Sequence, residues 1–255
     1  FFEVDTRQLR GGPALRRDGE NSGEIMLQTN TSKDLFLALG TEIGRNDDQI
    51  SHANENTFYV QWQIGSRFTL SSMNNFDVET DYNQYVTSIF RNVDPSRRYM
   101  VGKIERKTFS STIRAEYFVT PELSFQYYGN PYATVGKFSD YRFVADSKSK
   151  DLSRRFTPLS EVTLDNGETW LRDDRLNLVL NLTTRNPDFN FQEFRSNFVA
   201  RWEYKTGSTL YFVWTNTRSR YESFYESSIF ESLKGIGKVK AENAFMLKVS
   251  FWFSI

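Results

Sequence analysis

The run FMLKVSFWFSI, residues 245–255, constrains the fold more tightly than any other stretch of the chain. Every second residue is apolar: Phe245, Leu247, Val249, Phe251, Phe253 and Ile255. Met246, Lys248, Ser250, Trp252 and Ser254 alternate with them. Successive side chains of a strand point to opposite faces, so this spacing makes one face wholly apolar. The pattern recurs upstream. Leu210, Phe212 and Trp214 alternate with Tyr211, Val213 and Thr215, and Phe198, Ala200, Trp202 and Tyr204 with Asn197, Val199, Arg201 and Glu203. Only KTGS separates these two runs, which reads as a hairpin. Ile113, Ala115, Tyr117 and Val119 lead through TPEL to Leu123, Phe125 and Tyr127. Phe58, Val60, Trp62 and Ile64 lead through GSR to Phe68 and Leu70, and Ile25 and Leu27 through NTSKD to Leu35, Leu37 and Leu39. The fold class is therefore all-β.

The connections alternate in length. The four turns just named are tight, whereas the linkers at 45–55, 83–98, 132–193 and 220–242 are long. Short and long loops in strict turn mark an up-and-down antiparallel meander, and outer-membrane barrels show this asymmetry. With the tight turns in the periplasm, the last strand, 244–255, ends there as well. The parity requires residues 99–119 to be one long strand whose Lys103, Glu105 and Lys107 project beyond the bilayer, because an outward lysine at the midplane costs about 2–4 kcal/mol. The count is about nine or ten strands.

Period two defines two faces without saying which meets water. The apolar rows last about nine to eleven residues, the span of a tilted transmembrane strand. Trp62, Tyr117, Trp202, Tyr204, Trp214, Trp252 and Phe253 gather near strand ends, as an interfacial girdle does, although Trp252 has the opposite parity. Phe198, Trp202, Leu210, Phe212, Trp214, Leu247, Phe251 and Phe253 are then lipid-facing. Arg114 with Glu116, Arg201 with Glu203, and Lys248 face a lumen. The 32 basic and 32 acidic residues balance, which excludes the basic footprint of a nucleic-acid binder. With no cysteine there is neither a disulfide framework nor a thiolate metal site. The opening FFEVDTRQLR lacks an initiator Met and reads as a mature or clipped piece of a longer protein.

The stretches LRGGPALRR (9–17), SDYRF (139–143) and NPDFNFQEFRSNFVARWEYKTGSTLYFVWTNTR (186–218) carry a resemblance. They are similar to the C-terminal β-barrel region of a family of uncharacterised outer-membrane proteins. Its members join that region to an N-terminal carbohydrate-binding family-nine-like domain. The resemblance implies that the sugar-binding-like domain and earlier barrel strands are absent here, and it implies no catalytic residues. Outer-membrane barrels usually end their terminal strand on an aromatic, where this chain has Ile255, with Phe253 two before it. Open edges are intolerable in lipid, so the expectation is either a small closed barrel or completion by another polypeptide.

Enzymatic signals are sparse. His52 is the sole histidine, and no motif fixes a nucleophile beside it. No metal site is expected with one histidine and no cysteine. The acids Asp47, Asp48, Asp165, Glu168, Asp173 and Asp174 read as solvated loop charge, the calcium-loop spacing being unmatched. Tyr221, Phe224, Tyr225 and Phe230, with Tyr132, Phe138 and Tyr141 elsewhere, make aromatic outer loops. These suit a platform for glycans or a partner protein, or simply pack upon themselves. The leading expectation, over residues 1–255, is an integral outer-membrane barrel domain. It has no catalytic residue or cofactor, and serves transport or the structure of a surface assembly. Its partners are the bilayer and other outer-membrane polypeptides. The alternatives are a barrel that anchors a surface carbohydrate-active hydrolase, or a soluble β-barrel that binds a ligand.

Overall fold

The computed structural model describes residues 3–91 and 94–253, with side chains outside 91–96. A small ladder, β1 (Val4–Asp5) with β2 (Leu15–Arg16), precedes six consecutive long strands. These are β3 (Glu20–Gln28), β4 (Leu35–Asn46), β5 (His52–Ile64), β6 (Phe68–Arg91), β7 (Asp94–Thr120) and β8 (Leu123–Val144). An excursion follows with α1 (Leu152–Arg155), β9 (Phe156–Pro158), β10 (Ser160–Thr163), β11 (Thr169–Arg172) and β12 (Leu178–Asn181). The main sheet resumes with β13 (Phe189–Lys205) and β14 (Ser208–Glu222), crosses α2 (Ile229–Ile236) and ends with β15 (Glu242–Ser250).

The long strands pair in chain order, β3-β4-β5-β6-β7-β8-β13-β14-β15, each antiparallel to its neighbours, with short β9 added on β8. The expected antiparallel all-β meander is present. Among the described residues neither β3 nor β15 has a partner on its outer side, so the sheet does not close on itself. The tight turns fall where the turn residues put them. Gly65 and Gly207 adopt positive φ, 61° and 78°, which a side chain would resist. Residues 99–119 lie within the single strand β7, as the parity requires.

Three expected linkers differ in the structure. Residues 45–55 hold only a short reversal between Asn46 and His52, and 83–98 is almost entirely strand, belonging to β6 and β7. Strand β8 reaches Val144, so Tyr132, Phe138 and Tyr141 lie in a strand and not in a loop. The apolar alternation fades beyond residue 76, but a backbone ladder needs no apolar side chains to continue. At the other end, β15 stops at Ser250, while 254 and Ile255 lie outside the described residues.

Strands β6, β7 and β8 therefore project as a tongue beyond their neighbours. The tongue is covered on both sides. Met100 packs with Tyr141, Phe143, Leu171 and Leu180, under the small sheet of β10–β12. Val101, on the opposite face by alternation, packs with Leu9, Leu15 and Phe156. Arg155 is fully buried there and clamps the Asp18 carboxylate with both terminal guanidinium nitrogens, at 2.8 and 3.0 Å. Such bidentate pairing is what lets a buried charge persist.

Candidate functional site

The register aligns the apolar positions into rows that cross the sheet. One row runs Leu35, Trp62, Leu70, Ala115, Tyr127, Phe198, Trp214 and Phe245, each paired with the next. The neighbouring row places Phe68, Tyr117, Phe125, Ala200, Phe212 and Leu247 in line. Adjacent rings stack: Phe125 with Phe198 at 5.9 Å and Trp214 with Phe245 at 6.4 Å between centroids. Among the described residues nothing covers this face along its lower length. Trp62 is 47% exposed, Trp202 50%, Leu247 66% and Phe251 64%, whereas Met100 in the tongue is 0%. Phe198 and Leu210 are half-buried by their strand neighbours, and Phe212, Trp214 and Phe253 are exposed. Monomeric soluble proteins rarely leave so continuous an apolar surface open.

The alternate positions form the opposite face. Arg114 lies 5.8 Å over the Tyr128 ring, and Glu116 accepts a hydrogen bond from Gln126 Nε2 at 2.7 Å, so these two charges have separate partners. Arg201 and Glu203 pair with each other at 3.0 Å. Lys248 sits 5.9 Å over Tyr211. Arg114, Glu116, Gln126, Tyr128 and Asn197 line a hollow of about 410 Å3 on this face. The face is not uniformly polar, since Val199, Val213 and Met246 continue the row of Gln126.

The border between the apolar face and the tongue is crossed by α2, a helix within what the sequence presents as a long linker. Ser228 caps it, accepting the Glu231 amide at 3.4 Å, while the Ser228 amide donates to Glu226 Oε1 at 3.1 Å. Ile229 packs on Ala133 and Val135, the Phe230 ring meets Phe109 at 6.2 Å, and Ser232 Oγ donates to Asn190 at 2.5 Å. Lys107 Nζ donates to the Ser227 carbonyl and Arg218 to that of Gly237. The four aromatic loop residues separate. Tyr225 joins the packing under α2, Phe230 stays 61% exposed on the helix, Phe224 is exposed, and Tyr221 pairs with Phe191 at the end of β14 on the opposite face.

His52 opens β5 and lies exposed beside a polar cleft of about 230 Å3 lined by Arg16, Asp18, Glu79 and Asp81. Its Nδ1 is 2.9 Å from the Ile50 carbonyl oxygen, while Ser51 Oγ donates to Asp48 at 2.5 Å. Histidine and serine are thus not aligned as base and nucleophile. Burial pushes the Asp81 carboxyl above its ordinary range, against the Asn83 amide that donates to it. Asp173 is buried, contrary to the solvated loop charge expected. It accepts from the Arg175 and Asn177 amides and the Asn177 side chain, and pairs with Arg98 at 3.6 Å. Asp165 belongs to the β10–β11 turn, where Gly167 has φ 83°. Among the described residues no three His, Cys, Asp or Glu side chains converge as metal ligands, and no helix is long and apolar enough to cross a membrane.

A family described as a domain of unknown function (DUF5916) matches residues 1–254. No curated protein and no solved structure matches the chain.

Proposed function

The chain belongs to the DUF5916 family, whose function is uncharacterised, and we propose from the geometry that it forms the wall of an outer-membrane β-barrel. Its role is non-enzymatic, in transport or as a structural part of a surface assembly. The observation that carries this reading is the uncovered apolar face. Its rows run across the sheet from Leu35 to Phe245, with charged and amide side chains on the reverse. In water that face would be exposed at a cost of roughly 25 cal/mol per Å2 of apolar surface. Against lipid tails it costs nothing, and the ladder satisfies the backbone groups of every interior strand.

The dimensions fit. Residues 68–76, at about 3.3 Å each and tilted by about 40°, rise roughly 23 Å, close to the apolar band of such barrels, about 25 Å tall. The tight turns lie at one end, which the reading makes periplasmic, and the tongue with the long connections 145–188 and 223–241 lies at the other, with β15 running toward the periplasm. The tongue, the β10–β12 sheet and α2 then stand outside the bilayer. The sugar-binding neighbour domain expected from the resemblance, and any glycan on Tyr221 or Phe224, belong to this reading as further expectations. Fractionation of a Gram-negative host tests it. The protein should sediment with outer membranes, resist carbonate extraction and require detergent for release. A soluble monomer at neutral pH refutes the reading, and planar-bilayer conductance separates an open lumen from a filled one.

A further inference from the structure

Helix α2 lies on the same side of the sheet as the uncovered apolar rows. Phe76, Phe109, Ala133, Gln192 and Arg220 pair in register across β6 to β14. Each stands six residues from Leu70, Ala115, Tyr127, Phe198 or Trp214 on its own strand, so it shares their face, roughly 15 Å nearer the tongue. The helix crosses these strands and does not rise with any one of them. Lys107 of β7 holds the Ser227 carbonyl ahead of it, Ile229 rests on β8, Ser232 bonds Asn190 of β13, and Arg218 of β14 reaches the Gly237 carbonyl behind it. Its path therefore follows the border of the apolar face. Ser227 sits beside Lys107, whereas the Phe230 ring meets Phe109, two residues nearer the apolar rows. The flank bearing Phe230 is thus turned toward those rows, and Lys234 follows one helical turn later on that flank.

The charges of this border favour anions. Residues 218–240 hold five cations and three carboxylates, and Lys107 adds a sixth cation from β7. Glu222 is paired with Arg220 and Glu231 with Lys234, and Glu226 accepts the Ser228 amide. Lys238 and Lys240 are exposed and, among the described residues, belong to no ion pair. Glu242, the next acid, has the opposite parity on β15 from Phe245 and Leu247 and so faces away.

We propose that α2 is an interfacial helix that binds phosphate-bearing lipid headgroups on the tongue side of the bilayer, with Phe230 reaching the top of the acyl layer and Lys238 and Lys240 meeting the phosphates. This rests on the barrel reading above and deepens it by naming the class of lipid that borders the wall. An exposed aromatic beside basic side chains is the composition of helices that lie in a membrane surface, and lysines set just outside the apolar layer attract anionic headgroups. A free anion would need no phenyl ring. Phe230 is 61% exposed and continues the apolar rows through Phe109, which ties the anion to an acyl chain.

The chain has no cysteine, so Phe230→Cys, Leu247→Cys and Leu176→Cys each accept a single nitroxide label. In vesicles of phosphatidylcholine and phosphatidylglycerol, collisions with oxygen and with a water-soluble nickel chelate report the depth of each label. Leu176, 71% exposed on the turn between β11 and β12, sets the aqueous reference, and Leu247 the acyl one. The label at 230 should favour oxygen, as at 247. An aqueous reading at 230 with an acyl reading at 247 overturns the inference alone, whereas aqueous readings at both mark failure of the barrel reading itself. Shielding of 230 from both reagents indicates a protein cover and also overturns it. Native mass spectrometry of the micellar protein supplies the second measurement. Lys238→Gln with Lys240→Gln should weaken retention of phosphatidylglycerol by about fivefold for each lysine removed. Lys148→Gln with Lys150→Gln, an exposed pair of the same spacing in the tongue region, should leave it unchanged. Equal effects from the two pairs, or displacement of the lipid by inorganic phosphate, refute the assignment.

Discussion

Asp173 reads in the sequence as one more loop acid, and its surroundings make it the organiser of a turn. Three N–H donors and the Arg98 guanidinium converge on it, the latter lying 3.8 Å over the Phe143 ring. Asp173→Ala removes the buried charged acceptor that these part-buried donors share, a cost of about 1.5–3 kcal/mol. The expected result is faster amide exchange across 169–181 with the main sheet unchanged. Asp81 makes the pH-dependent counterpart. Its folded-state pKa is raised by burial, so the native state binds the proton more tightly than the unfolded chain. Stability then falls as pH rises through the acidic range, and the full penalty of the buried carboxylate is present at neutral pH. Asp81→Asn, which retains an oxygen for the Asn83 amide, should raise the urea midpoint at pH 7 in micelles. The gain should vanish near pH 3. Neither residue's surroundings are legible in the sequence, because ETDYNQ and RDDRLN look the same whether solvent or protein encloses the carboxylate.

At the level of single elements, the alternation tells more. Strand faces follow directly from period two, and the turns KTGS and GSR follow from glycines that hold positive φ. The upper end of β6 does not follow, since 77–91 is too polar for an apolar pattern to mark, and that of β7 follows from residue 99 onward only through the parity of the meander. The helix α2 escapes the sequence for another reason. Ile229, Leu233 and Ile236 have helical spacing, and Ser228 with Glu231 supplies a start signal, but the segment sits between two long strands and reads as their linker. Its docking is testable. Ile229 is 4% exposed, and Ile229→Ala should cost about 2–4 kcal/mol of the helix's attachment. Limited proteolysis should then cut within 223–241 while the far-UV signal of the sheet persists.

For the whole molecule, the sequence carries the order of the meander and the sidedness of its faces, but not the open edges, which no local pattern encodes. The sidedness has a direct test on the edge strand, where Leu247 and Met246 are both exposed, at 66% and 55%, yet point to opposite faces. Leu247→Lys should destabilise the bilayer-assembled protein by about 2–4 kcal/mol, whereas Met246→Lys should cost about 1 kcal/mol or less. Folding titrations in lipid vesicles measure both, and equal costs would contradict a lipid-facing Leu247.

The tongue carries a consequence for timing. Leu9 and Leu15 come from one extremity of the chain and Phe156 from its middle, and they meet only on the platform of Val101. Leu171 and Leu180 likewise have nothing to rest on until Met100 and Phe143 stand side by side. Contacts so distant along the chain form slowly. The tongue should therefore set after β6, β7 and β8 have zipped together, and a chain caught midway would show a finished hydrogen-bonded ladder beneath a crown still fully open to protease.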